Sequence, residues 1–70
     1  MDSAKTTRQY FLIYSPQSGK VLDASNPNEV VLWESHGGDN QLWFWDDGGD
    51  ILRNKKHPNK VRIFIFLVSY

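Results

Sequence analysis

The chain has 70 residues, so it forms at most one small domain, and a chain this short buries only about 60% of the surface its unfolded form exposes. Eight basic residues balance eight acidic ones, which leaves no whole-molecule field to draw nucleic acid or anionic lipid and favours a neutral ligand. The absence of cysteine excludes disulfides and thiolate metal sites, and an apolar share of 40% argues against intrinsic disorder.

Residues 1–8 are polar and hold no apolar h-region, so they read as a short disordered lead-in rather than a secretory signal. The compartment stays open: the lack of cysteine is compatible with a reducing cytoplasm without establishing it, and the polar lead-in slightly favours the cytoplasm. From residue 10 onward the apolar pattern is strand-like, in short runs separated by turn residues. Residues 10–14 form the first run, closed by Ser15, Pro16, Gln17, Ser18 and Gly19. Residues 20–24 form the second, ended by Ser25, Asn26, Pro27 and Asn28. Residues 30–33, rich in β-branched side chains, form the third, and it stops at Ser35, His36, Gly37, Gly38 and Asp39. Residues 41–45 form the fourth, with Asp46, Asp47, Gly48 and Gly49 as a hairpin turn. No window carries a helical apolar stripe free of Gly or Pro, so the expected fold class is all-β.

An internal echo appears at an offset of 40 residues: Phe11-Leu12 matches Ile51-Leu52, and Lys20-Val21 matches Lys60-Val61. Gly19 faces Asn59 in the same alignment, and both residue types tolerate a positive φ. The chain therefore holds one whole unit and begins another. The echo in residue types stops after Val61, and residues 62–70 are expected to form a departing apolar tail. Its run of apolar residues, 63–68, is far shorter than the roughly 20 residues of a membrane-spanning helix, so no membrane span is expected. The tail reads either as completing an open core or as a sticky edge that drives assembly.

The triplet Gln41-Leu42-Trp43 is the most informative motif, with Asn40 before it and Val30-Val31-Leu32-Trp33 upstream. Period-2 alternation sends Gln41, Trp43 and Trp45 to one face of the fourth run and Leu42 and Phe44 to the other. A Gln two residues from an indole suits a position where the amide binds backbone groups of a neighbouring turn while the ring fills the core. Gln41 and Trp43 are thus structural.

With the opening run, Gly19-Lys20-Val21-Leu22-Asp23, Val30-Val31-Leu32-Trp33 and Asn40-Gln41-Leu42-Trp43 in this order, the chain resembles the ricin-type lectins over residues 9–61. Their β-trefoil consists of three similar foils of four strands, each marked by a Q-x-W triplet. The resemblance implies a partial β-trefoil, a single foil of four short strands plus one or two further strands, not closed within one chain. It also implies a shallow carbohydrate site made by Asp23, Trp33 and Asn40, with Gln41 in support. The ligand implied is a neutral sugar like galactose or N-acetylgalactosamine, with no cofactor. An indole offers a platform to the C–H face of a pyranose, Asp23 can accept from two adjacent hydroxyls, and Asn40 can both donate and accept. Two departures stand out: Val31 occupies a position where such foils often carry Gln, and the second unit has no Asp. With no third foil, either a homo-oligomer formed through open foil edges or the 63–68 tail, or a truncated, poorly stable product, is expected.

Other constellations are weaker. Ser35, His36 and Asp39 lie close in sequence, but triads draw their members from separate elements, and these read as loop residues. Asp46, Asp47 and Asp50 lie in too short a loop for a calcium site, and His36 and His57 lack the companions a zinc site needs. The basic stretch Arg53, Lys55, Lys56, Lys60 and Arg62 reads as a solvated loop. The expectation is a binding module and not an enzyme. The alternative is a structural or protein-interaction β-trefoil fragment that binds no sugar.

Overall fold

The computed structural model describes residues 8–64, so the lead-in up to Thr7 and the run beyond Phe64 lie outside the described residues. Five strands follow one another: β1 (Val21–Asn26), β2 (Glu29–Trp33), β3 (Trp43–Asp46), β4 (Ile51–Asn54) and β5 (Arg62–Phe64). Two one-turn 3-10 segments, Asp39–Gln41 and Asp47–Gly49, flank β3. The described chain is all-β, in two antiparallel sheets of order β1-β2 and β3-β4-β5. No helix among the described residues is long and apolar enough to cross a membrane.

The turns follow from their residue types. Between β1 and β2 the Asn26 side chain accepts the backbone N–H of Asn28 at 2.9 Å, closing an Asx turn around Pro27. Between β3 and β4 the chain reverses through Gly48 at φ 68° and Gly49 at φ 96°, conformations that cost residues with a Cβ. Asp46 lies opposite Ile51 in this hairpin, and its carboxylate meets Arg53 Nε at 2.6 Å.

Residues 10–14 form a pair of isolated bridges rather than the full strand expected. Phe11 exchanges both backbone hydrogen bonds with Trp43 at 2.9 Å, Tyr14 bridges Val21, and Leu22 N–H donates to Ile13 O at 3.0 Å. This segment therefore links the two sheets, with β1 on one side and β3 on the other. The expected fourth strand also starts late. Gln41 ends a 3-10 turn, in which Gln41 N–H donates to Gly38 O and Leu42 N–H to Asp39 O, and extended pairing begins only at Trp43.

The pairing repeated at the offset of 40 reaches Arg62, one residue past the end of the echo in residue types. Ile13 meets Leu22 and Tyr14 meets Val21 in the first unit; at the offset of 40, Arg53 pairs with Arg62 and Asn54 N–H donates to Val61 O. Ladder hydrogen bonds are made by the main chain, so pairing persists where side-chain identity has diverged.

The core joins both units. Ala24, Trp43, Leu52 and Val61 are buried together, with Phe11, Ile13, Leu22 and Ile63 packed around them. Trp43 is at its centre, and its indole N–H donates to Leu22 O at 3.2 Å, which satisfies the one polar atom the ring brings inside. On the other face of β3 Phe44 is also buried, edge-on to Tyr10 with ring centroids 5.6 Å apart and with the Arg8 guanidinium 4.3 Å from its ring centre. The basic stretch is more engaged than a solvated loop: Arg53 also donates to Pro58 O, and Lys55 reaches Asp39 at 3.2 Å and lies over the Tyr10 ring.

Candidate functional site

The β1-β2 hairpin sets one wall of the site. Val21 is opposite Trp33 and Asp23 opposite Val31, and directly opposed residues in an antiparallel ladder share a face. Period-2 alternation therefore aligns Asp23, Val31 and Trp33 on one side and Leu22 and Leu32 on the other. The register shifts after Asp23, and Ser25 N–H turns back to donate to Asp23 Oδ1 at 2.9 Å. Asp23 thus makes the local Asx-type contact its sequence allows and also faces a hollow.

The second wall is the loop between β2 and β3. Gln41 is fully buried, and its amide is spent inside the protein. Its Oε1 accepts His36 N–H, and its Nε2 donates to Glu34 O and to Asp23 Oδ2, each at 2.8 Å. One side chain thus closes the loop on itself and fastens it to β1. Asn40 Nδ2 adds a bond to Asp23 Oδ1 at 2.9 Å. Beneath the loop, the fully buried Asn54 of β4 donates to Asn40 O at 2.9 Å, so the second unit supports a residue of the first.

Asp23, Ser25, Val31, Trp33, His36 and Asn40 line the resulting hollow of about 290 Å³, which lies at the small end of the range for ligand pockets. Trp33 is 60% exposed and Asp23 only 3%, so the indole stands at the mouth and the carboxylate at the floor. The three residues expected to surround a pocket, Asp23, Trp33 and Asn40, share one hollow. Gln41 is not on its wall; its part is to position Asp23 from behind.

Burial raises the pKa of the Asp23 carboxyl, and hydrogen bonds from Gln41, Asn40 and Ser25 outweigh that effect, holding the group below its ordinary value of 3.8. It is therefore ionised at neutral pH. Three of its roughly four acceptor sites are already filled by these neighbours. The Ser25 side chain also acts on the same carboxyl, and Oδ2, which accepts from Gln41 Nε2, is the oxygen with the fewest neighbouring donors.

Sequence assigned no site role to the remaining contributors. Val31 takes part through its side of the hairpin, and Asn54 acts from beneath. His36, read as a loop residue, lines the hollow with its imidazole half exposed and Nε2 3.8 Å from Asp23 Oδ2. Ser35 does not line the hollow, and Asp39 is turned to Lys55, so the three do not form a triad. Comparison of the chain with protein-family models, with curated proteins and with solved structures returns no match.

Proposed function

We propose that this chain is a carbohydrate-binding module that holds a neutral, galactose-like sugar in the hollow between the β1-β2 hairpin and the loop preceding β3. One observation carries the reading: a strongly exposed indole stands beside a buried, ionised carboxylate and an amide within a single small hollow. A pyranose presents an apolar C–H face and a fringe of hydroxyls, which calls for a flat aromatic surface with a few fixed polar groups next to it. Trp33 provides the surface, Asp23 Oδ2 an acceptor, and Asn40 the remaining Nδ2 hydrogen and Oδ1, which have no partner among the described residues.

The partial β-trefoil reading is supported by the pairing that repeats at an offset of 40 residues, and by β3 lying between the opening segment of the first unit and that of the second. In this reading the chain is one foil and the opening half of the next, and it has no catalytic role.

A single open site of this size is weak, with a dissociation constant near millimolar, about 4 kcal/mol. Titration with methyl galactosides to tens of millimolar, followed by indole fluorescence and two-dimensional NMR, tests the proposal. Saturable shifts at Trp33 and Asn40 are expected, together with a folded Trp33→Ala protein that does not bind. A folded wild-type protein with no shifts excludes sugar binding here, and a Trp33→Ala protein that unfolds assigns the indole to packing instead.

A further inference from the structure

Resting on the carbohydrate reading, the hollow contains a donor that the sequence motif does not include. Gly38 N–H donates to His36 Nδ1 at 3.0 Å, so in the neutral imidazole the proton resides on Nε2. That Nε2–H is 3.8 Å from Asp23 Oδ2, too far for a direct hydrogen bond. The carboxylate oxygen keeps one acceptor site open after its bond to Gln41. An oxygen atom placed about 2.8 Å from both groups spans the gap. A hydroxyl is the group that fits, since it can accept from the imidazole and donate to the carboxylate at the same time.

We infer that His36 and Asp23 form a clamp for one ligand hydroxyl, with His36 Nε2 donating to it and Asp23 Oδ2 accepting from it. The clamp selects for a free hydroxyl at one ring position: a methyl ether there can accept but not donate, and a deoxy position can do neither. The ring is held in place by its surroundings as well as by its own bond. A Cβ at Gly38 would come within 2.6 Å of His36 Cε1 and 2.8 Å of Asn40 Oδ1, so the glycine lets both pocket side chains close over the backbone. His36 backbone N–H is independently fixed by Gln41 Oε1, which keeps the loop anchored if the imidazole is altered.

The test is a cycle between protein variants and a panel of methyl galactosides, each lacking one ring hydroxyl, with affinities from NMR titration. Wild type, His36→Ala and His36→Phe are compared, the last keeping an aromatic ring without the Nε2–H. For one deoxy sugar the loss of affinity seen with wild type falls by about fivefold in both variants, the worth of one neutral hydrogen bond, while the losses for the other positions do not change. Deoxy penalties that are identical in wild type and variants overturn the clamp and leave the carbohydrate reading intact. A folded wild-type protein that binds no galactoside overturns both. If His36→Ala fails to fold, the His36→Phe comparison decides.

Discussion

Asp23 is almost wholly buried, yet its carboxyl titrates below the ordinary range because Gln41, Asn40 and Ser25 all donate to its charged form. A group whose pKa is lower folded than unfolded binds its proton first in the unfolded chain, so its stabilising contribution is present above the unfolded value and is lost as pH falls through the folded one. For Asp23 the loss begins near pH 4 and continues below it. Asp23→Asn turns an amide towards three donors and costs about 1–3 kcal/mol at neutral pH. The expected signature is a gap between wild-type and variant urea midpoints that narrows on acidification below pH 4; a gap independent of pH assigns the cost to shape alone. Gly38 gives a complementary prediction at the same scale. Its φ of −74° is open to any residue, so Gly38→Ala brings no backbone strain; by displacing His36 and Asn40 it weakens the Asn40 bond to Asp23, and the thermal midpoint falls modestly along with galactoside affinity. Calorimetry alongside NMR titration checks both halves.

At the scale of elements, the site depends on β4 although no pocket residue belongs to it. Asn54 donates to Asn40 O and accepts from the N–H groups of Lys56 and His57, each at 3.1 Å. Asn54→Ala leaves these part-buried groups without their partner and costs about 1 kcal/mol. Hydrogen exchange at Lys56 and His57 is expected to accelerate, with NMR shifts spreading to Asn40; shifts confined to 54–57 would mean that the two units are not coupled through this side chain. Asn54 was not legible in the sequence, because its opposite number at the offset of 40 is Tyr14, and no pattern marks a single Asn as a bridge between units. The two strands were legible as apolar runs divided by Ser25, Asn26, Pro27 and Asn28, whereas the shared site of Asp23 and Trp33 was implied only by the family resemblance; the ladder register supplies its physical reason, since residues directly opposed or two apart share a face. The loop before β3 was only half legible. The type of residue at 41 announced an amide that binds a turn, and the structure shows that turn to be Glu34–His36, but the 3-10 geometry that ends at Gln41 leaves no periodic trace. His36 was read as a loop residue because a histidine beside two glycines has the same appearance in sequence wherever its ring points.

For the whole molecule, the two faces of the β1-β2 hairpin have different fates. One carries the hollow. On the other, Ala24 and Leu22 join the core, while Leu32 directly opposite Leu22 is 42% exposed and Val30 is 37% exposed. Among the described residues the inner strand of the hairpin is covered and the outer strand is not, so the described core extends under β1 and ends before β2. An uncovered apolar strip on the core side of an edge strand favours contact with another copy of the chain. We therefore predict self-association that depends on Leu32. Sedimentation equilibrium of the wild type is expected to give a mass above the 8.1 kDa of one chain, rising with concentration. Leu32→Glu places a charge on that strip without touching the hollow, since residue 32 and residue 33 project to opposite faces. It is expected to return the protein to monomer mass with galactoside affinity per site unchanged, while apparent affinity for a surface dense in galactosides drops, because several weak sites joined in one particle bind far more tightly than one. A Leu32→Glu protein with wild-type mass would place the contact elsewhere. A monomeric wild type would mean that the exposed strip drives no assembly.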